Sequence, residues 1–261
     1  LCARAAKQWE VDVDQVEWVD GQAQLLDGSQ PPITLAEIAK GWARTGGPIS
    51  ASASLNARGV GAGFSTQMCH LAVDPAAPLA VIGAGTGLGQ ATLVPLENGG
   101  YTALASEGGH TSFPFESAAE VKYMHYLLQD SGEPYVRAET VVSGGGLSRL
   151  HHFLTGERLE PAEVAGSLTD ESATLRWMAR FLGRLSRNYA LTVVAFGGVY
   201  ISGGVAAKLP ELVTHREFAR AFRKTEVMSH VLDRIPVFLN TDEESGLWGA
   251  AMKGMQILQG D

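Results

Sequence analysis

The residues best placed to do chemistry lie in Ser106-Glu107-Gly108-Gly109-His110. Glu107 offers a carboxylate acceptor, and His110 an imidazole that can donate or accept. The glycines between them allow a sharp turn that aims both side chains at one spot. That pairing suits two neighbouring sugar hydroxyls. A surface turn with a solvated Glu and a partly buried His fits the same pattern. One His and one Glu are too few to hold a metal without further ligands, so no metal site is assigned.

Glycine supplies the second chemical signal. In Leu79–Pro95, LAVIGAGTGLGQATLVP, an apolar run climbs into alternating Gly83, Gly85, Gly87 and Gly89, and a second apolar run leaves it. This reads as a buried strand, a tight turn and a returning strand. Bare backbone N–H groups in such a turn can wrap a phosphate, and an ordinary hairpin explains the pattern equally well. It is not a dinucleotide fingerprint, because Leu88 or Gln90 falls where the third glycine belongs. It also lacks the Lys-Ser/Thr ending of a P-loop. A further segment, Phe196–Val205, places a short apolar strand between Gly197-Gly198 and Gly203-Gly204. Glycines at 203 and 204 let a flat group such as an adenine lie against the backbone. Ser143–Gly146 reads as a capped, glycine-rich entry into a helix over Leu147–Leu154, suited to an anion or to close helix packing. Arg176, Arg180, Arg184 and Arg187 form a stripe on the longest predicted helix, which reads as a solvated face or as a phosphate contact.

The elements around these residues follow from periodicity and turn chemistry. Leu1–Trp9 reads as a helix end, and Val16–Trp18 and Gln22–Leu26 as strands around Asp20-Gly21. Thr34 with Glu37 forms a capping box before a helix over Leu35–Trp42. Ile49–Gly63 has loop composition and Phe64–Val73 strand composition. Asp74-Pro75-Ala76-Ala77-Pro78 reads as a junction. Beyond it come the hairpin, a turn at Asn98-Gly99-Gly100, and a strand over Tyr101–Ala105. A helix over Ser117–Gln129 is stopped by Ser131-Gly132. A long helix over Asp170–Leu191 is capped by Thr169-Asp170. A helix carrying Leu209 and Leu212, a helix over Arg216–Lys224, a strand over Ile235–Leu239 and a closing helix over Glu243–Leu258 complete the chain. Gly246, Gly249, Ala250 and Ala251 would let that last helix approach its neighbour closely.

The 261 residues are 45% hydrophobic, enough for one large domain or two small ones. A net charge of −8 argues against a general nucleic-acid surface. The two cysteines, Cys2 and Cys69, build neither a disulfide framework nor a cysteine-rich zinc site, which suits a reducing cytosol. No apolar run approaches the roughly 20 residues that span a bilayer, and no secretory leader is seen. A cytoplasmic location is therefore expected.

Two resemblances organise these observations. LAVIGAGTGLG, SEGGHTSF, AETVVSGGGL, FGGVYISGG, IPVFL and SGLWGAA occur in an order and spacing that resemble the large C-terminal domain of bacterial glucokinase, in the hexokinase and actin-like ATPase superfamily. Upstream, DVDQVEWVDGQA, PPITLAEIAKGWA and GFSTQMCHLAVDP resemble part of the molybdopterin-binding large subunit of xanthine and carbon monoxide dehydrogenases. That stretch shows no pterin motif and no catalytic glutamate of that family, so no molybdopterin is expected. The fold expected is α/β: an actin-like ATPase (ribonuclease H-like) large domain over residues 78–261, whose mixed sheet has its first three strands antiparallel and is flanked by helices. A small α+β fragment over residues 1–76 precedes it.

The glucokinase resemblance implies roles position by position. Gly85, Thr86 and Gly87 match the second phosphate-binding turn. Glu107, His110 and Glu139 match residues that bind glucose hydroxyls, and Gly203 and Gly204 match the adenosine-binding segment. It implies ATP with Mg2+ as cofactor and glucose as substrate. No zinc is expected, because the cysteine-bearing motif of the related repressor group is absent. The family commonly forms dimers through this domain, so a homodimer is admitted. The sequence shows neither the Asp-x-Gly-Gly-Thr-like first phosphate loop nor the Asn-Asp pair whose aspartate acts as general base. No catalytic residue is therefore assigned. The expectation is glucokinase-type phosphorylation of glucose by family, with this chain weak or inactive. A non-catalytic sugar- or nucleotide-binding product of a gene fusion, and a molybdenum hydroxylase fragment, stand as alternatives.

Overall fold

The computed structural model describes residues 1–19, 21–34, 37–38, 77–97, 100–242 and 244–259. The predicted strand over 64–73, the loop over 49–63, most of the helix over 35–42 and the turn residues 98–99 lie outside them. The chain divides into two compact units, Leu1–Val60 and Gly61–Asp261.

In the first unit, helix α1 (Cys2–Trp9) precedes strands β1 (Val16–Val19), β2 (Gln22–Leu25) and β3 (Ile33–Thr34), which form an antiparallel meander. Ala5, Ala6, Val16, Ala23, Leu25 and Ile38 form its core. The Thr34–Glu37 box is present: Thr34 N–H donates to Glu37 Oε2 at 2.8 Å, and Glu37 N–H to Thr34 Oγ1 at 3.3 Å.

The second unit is built on a five-stranded mixed sheet in the order β6-β5-β4-β7-β8. Strands β4 (Leu79–Ala84), β5 (Leu88–Pro95) and β6 (Tyr101–Ser106) are antiparallel, as expected. Strands β7 (Val199–Ser202) and β8 (Val237–Leu239) join them in parallel. The unbroken apolar run of β4 has a physical reason. Ala80, Ile82 and Ala84 enter the main core, while Leu79 and Val81 enter a second cluster with Tyr200. A central strand buried on both faces cannot alternate with polar residues.

The main core is closed by α2 (Ala118–Ser131), α3 (Ala138–Val141), α4 (Gly144–Thr155), α5 (Pro161–Ser167) and α6 (Ala173–Val193). Helices α7 (Gly204–Lys208), α8 (Glu211–Thr214), α9 (Arg216–Phe222), α10 (Ser229–Leu232) and α11 (Ser245–Gln259) follow. Ser117 caps α2 by accepting from Glu120 N–H, and Gly132 ends it in the left-handed region. Phe181, Leu175, Leu182 and Met178 of α6 are fully buried, each worth roughly 1.5–3 kcal/mol of apolar transfer.

Four local expectations are corrected. Helix α6 starts at Ala173 rather than Asp170. Thr169 N–H donates to Ser172 Oγ at 2.8 Å, and Ser172 N–H to Thr169 C=O at 2.8 Å, so a turn occupies the expected first helical residues. The helix predicted around Leu209 and Leu212 is two short helices, α7 and α8, broken at Leu209-Pro210. In α11, Gly249 is buried, but Ala250 and Ala251 are exposed and mark no close helix contact. The arginine stripe is not a solvated face either, because Arg184 is only 2% exposed.

Candidate functional site

The β4–β5 ladder runs down to Ala84 opposite Leu88, leaving Gly85-Thr86-Gly87 as the turn. Gly85 N–H donates across it to Gly87 C=O at 2.9 Å. The N–H groups of Thr86 and Gly87 have no backbone acceptor among the described residues, and Thr86 is exposed at the tip. Gly85 C=O accepts from Gly144 N–H at 2.9 Å, which ties the turn to the N-terminus of α4. There Ser143 Oγ accepts from Gly146 N–H at 3.1 Å, giving the capped helix entry read from the sequence. Gly144 and Gly145 line a cavity, while Gly146 packs against Val141 C=O.

The Gly203-Gly204 pair arrives at the same place from the end of β7. Gly203 has φ +95°, and a side chain on it would strike the Ala84 backbone. It is there so that the chain can leave the sheet beside β4. Gly204 faces open space and lines the cavity. The three glycine segments thus converge on one concavity of about 670 Å³. Arg149 and Lys208 also line it, and the sequence reading had not singled them out. Arg149 lies on α4, whose glycine-rich start is the one sequence signal that points to it.

Glu107 and His110 flank a 3-10 turn, Gly108–His110, closed by His110 N–H donating to Glu107 C=O at 2.9 Å. A side chain on Gly109 would strike Leu88 C=O, so the turn can sit tight against β5 only with glycine there. The Glu107 Oε2 and His110 Nε2 atoms are 3.7 Å apart, and both side chains are half-exposed. Glu139 stands in the first turn of α3. Its Oε2 accepts from Leu88 N–H at 3.1 Å, one residue past the glycine turn. The segment before it pairs with the segment after His110: Phe113 N–H donates to Val136 C=O at 3.0 Å, and Ala138 N–H to Thr111 C=O at 2.8 Å. That pairing brings Arg137 between His110 and Glu139. Arg137 also bonds Glu133, whose carboxyl is held below its usual range chiefly by that hydrogen bond.

The next turn of chain is anchored from α6. Arg184 Nη1 donates to Pro114 C=O at 2.8 Å and to Glu120 Oε2 at 2.7 Å, and Nη2 donates to Glu120 Oε1 at 3.0 Å. Its guanidinium lies against the rings of Phe113 and Phe181. Glu116 sits at the outer edge of this network. Burial alone would raise its pKa, but hydrogen bonds from Lys224 and Arg187 and the charge of Arg184 outweigh burial and hold it at about 2. Four residues beyond His110, then, the chain is fixed by a buried ion pair.

The arrangement can hold an anionic group at the glycine turn and hydroxyls at the carboxylate–imidazole cluster. Glu139 reaches the turn through Leu88 N–H and the cluster through Arg137. The sequence profile described as Glucokinase matches residues 51–257 of the chain. The chain belongs to the glucokinase family. The match begins well before Leu79, where the sequence resemblance was placed. The glucokinase of Chromobacterium violaceum is 42% identical over 188 residues, 68% of this chain and 53% of that protein. That of Yersinia pestis is 37% identical over 188 residues, 68% of this chain and 57% of that protein. The chain therefore spans about half the length of these curated glucokinases. The solved glucokinase of an Antarctic psychrotroph superposes with a TM-score of 0.60 at 24% identity, covering 91% of this chain and 77% of that one. The glucokinase of Balamuthia mandrillaris in complex with glucose gives 0.60 at 19% identity, covering 69% of this chain and 55% of that one. These likenesses establish the α/β sugar-kinase fold. The resemblance of residues 1–76 to a molybdenum hydroxylase finds no support in them. Among the described residues, no helix is long and apolar enough to cross a membrane.

Proposed function

We propose that this chain supplies the glucose- and ATP-reading part of a glucokinase, which transfers the terminal phosphoryl group of ATP to the 6-hydroxyl of glucose. The observation that carries the reading is Glu139, whose carboxylate joins the Glu107–His110 cluster through Arg137 and the glycine turn through Leu88 N–H. Glu107 and Glu139 accept from sugar hydroxyls, and the His110 imidazole completes the set. A site built on such groups rejects analogues that leave them unpaired. The Thr86 and Gly87 N–H groups and the Thr86 hydroxyl meet the phosphates, with Gly144 and Gly145 beside them at a helix N-terminus. Gly204 lines the adenosine side, and Gly203 before it lets the chain enter there. Among the described residues, no group of three or more His, Cys, Asp or Glu could hold a metal. Mg2+ would come with the nucleotide phosphates held at Thr86 and Gly87, where it would supply charge neutralisation for transfer.

The general base is not among these residues, and the 261-residue sequence contains no Asn-Asp pair of the kind the family resemblance calls for. General-base catalysis contributes roughly 10²- to 10⁴-fold. The chain by itself is accordingly a glucose and ATP binder with weak or no turnover, acting in the cytosol, and a homodimer belongs to the same reading. Calorimetry with glucose tests binding, which Glu107→Ala abolishes. A coupled glucose 6-phosphate assay giving about 1–100 s⁻¹, a normal kinase rate, would refute the weak-turnover part. No heat of glucose binding to the intact chain would sink the reading as a whole.

A further inference from the structure

Arg137 is the residue through which the sugar-reading groups meet. Its Nη1 carries two hydrogens. One points at His110 Nδ1, 3.0 Å away, and the other at Glu139 Oε1, 3.2 Å away. Its Nε and Nη2 are both held by Glu133 Oε1, and Glu133 Oε2 is in turn held by the Thr140 hydroxyl at 3.1 Å. The guanidinium is thus fixed from behind and presents two donors forward. A guanidinium has donors only. The His110 Nδ1 facing it must therefore be the bare, accepting nitrogen, and the ring proton must sit on Nε2, on the Glu107 side. The backbone of His110 is fixed as well, because its carbonyl accepts from the Tyr135 hydroxyl at 2.9 Å.

We propose that Arg137 is a positioning residue of the sugar site: it sets His110 as the Nε2–H tautomer, so that one fixed donor faces the Glu107 carboxylate, and it ties the second carboxylate, Glu139, to the Nδ1 edge of the same ring. The ligand class this selects is a vicinal diol, one of whose hydroxyls accepts from Nε2–H while donating to a carboxylate. This rests on the glucose reading for its ligand, but not for its geometry. A lysine cannot substitute, because a single ammonium on a flexible stem does not span Glu133, His110 and Glu139 in one plane.

The test uses the full chain. A two-bond proton–nitrogen correlation spectrum of the unliganded protein is expected to show His110 protonated at Nε2 and bare at Nδ1. In Arg137→Met, with fold checked by circular dichroism and melting, both tautomers should appear. Glucose affinity by calorimetry should fall about tenfold or more, the scale of a lost charge-assisted hydrogen bond. Arg137→Lys should restore at most part of that affinity. Glu133→Gln, which loosens the guanidinium but leaves both forward bonds available, should keep the Nε2–H tautomer. Three results each overturn the assignment: a His110 protonated at Nδ1 in the unaltered chain, a folded Arg137→Met with unchanged tautomer and glucose affinity, or loss of ADP affinity alone. If the unaltered chain binds no glucose, the proposed function fails, while the tautomer spectrum still decides the geometry of Arg137.

Discussion

Replacing Arg184 with methionine tests whether its buried ion pair holds the loop that follows His110 in place. The Arg184 side chain is 2% exposed, and so is that of its partner Glu120. The two make a bidentate pair at 2.7 and 3.0 Å, and Glu116 Oε1 lies 3.1 Å from Arg184 Nε. Methionine fills much of the space but leaves Glu120 buried, with the nearest remaining cation, Arg180 Nη1, at 3.8 Å. Breaking a buried pair from one side costs about 3–5 kcal/mol. At roughly 2–4 °C per kcal/mol for a domain of this size, the melting point should fall by about 6–20 °C. The double variant Arg184→Met with Glu120→Leu removes both charges together and should recover most of the loss, because an apolar pair of similar volume often matches a buried ion pair. Thermal melts followed by near-ultraviolet circular dichroism measure both. The reasoning fails if the single variant costs less than about 1 kcal/mol, or if the double variant is no more stable than the single one. Glucose affinity should follow stability here, because Arg184 also holds Pro114 C=O four residues after His110.

Other outcomes follow from the same structure. The Glu116 carboxyl titrates at about 2 in the fold, against 4.5 ordinarily. A folded pKa below the unfolded one adds stability that is complete above about pH 4.5 and is lost as pH falls towards about 2. Unfolding free energies from urea titrations at about pH 6 and about pH 3 should differ by on the order of 1–2 kcal/mol, the residue's partial exposure reducing the full effect, and Glu116→Gln should flatten the slope. Val194 ends α6 at φ 50°, ψ 56°, a left-handed conformation that crowds a β-branched side chain. Val194→Gly should raise stability by about 1 kcal/mol, read as a higher denaturant midpoint. Gly203→Ala should cost about 2 kcal/mol or more and weaken ADP binding, since the added carbon meets the Ala84 backbone at a positive φ. Unchanged ADP affinity in a folded Gly203→Ala would remove that residue from the proposed nucleotide site.

How much the sequence revealed depended on how local the cause was. The hairpin was legible because its alternating glycines and apolar flanks are neighbours, and the ladder from Leu79–Leu93 to Ala84–Leu88 is what that pattern describes. The Ser143 cap was legible for the same reason, bonding an N–H three residues on, while the sequence placed Ser117 at a helix start without marking it as the cap it is. Arg184 was not. Helical spacing places it beside Arg180 and Arg187, and periodicity cannot tell a solvated arginine from one whose carboxylates come from Glu116 and Glu120, 64 or more residues away in sequence. Arg137 escaped notice likewise. It sits two residues from Glu139, but its importance comes from His110, 27 residues earlier, and from backbone pairing between segments that carry no strand pattern. The start of α6 was misjudged because Thr169, Asp170 and Ser172 all suit a cap, and the turn between Thr169 and Ser172 decides among them.

The bond from Leu88 N–H to Glu139 has a thermodynamic consequence. One carboxylate braces the chain just past the glycine turn and, through Arg137, also belongs to the cluster proposed to read sugar hydroxyls. A sugar that recruits that carboxylate changes what holds the turn, and a nucleotide that orders the turn changes how firmly the carboxylate is placed. The free energy of this exchange is a property of the ternary complex and not of the order in which it forms. We therefore expect reciprocity: whatever factor bound glucose imposes on ADP affinity, bound ADP must impose the same factor on glucose. In Glu139→Gln, which weakens the acceptor in both directions, the two factors should shrink together. Calorimetric titration of each ligand in the absence and presence of the other closes that cycle.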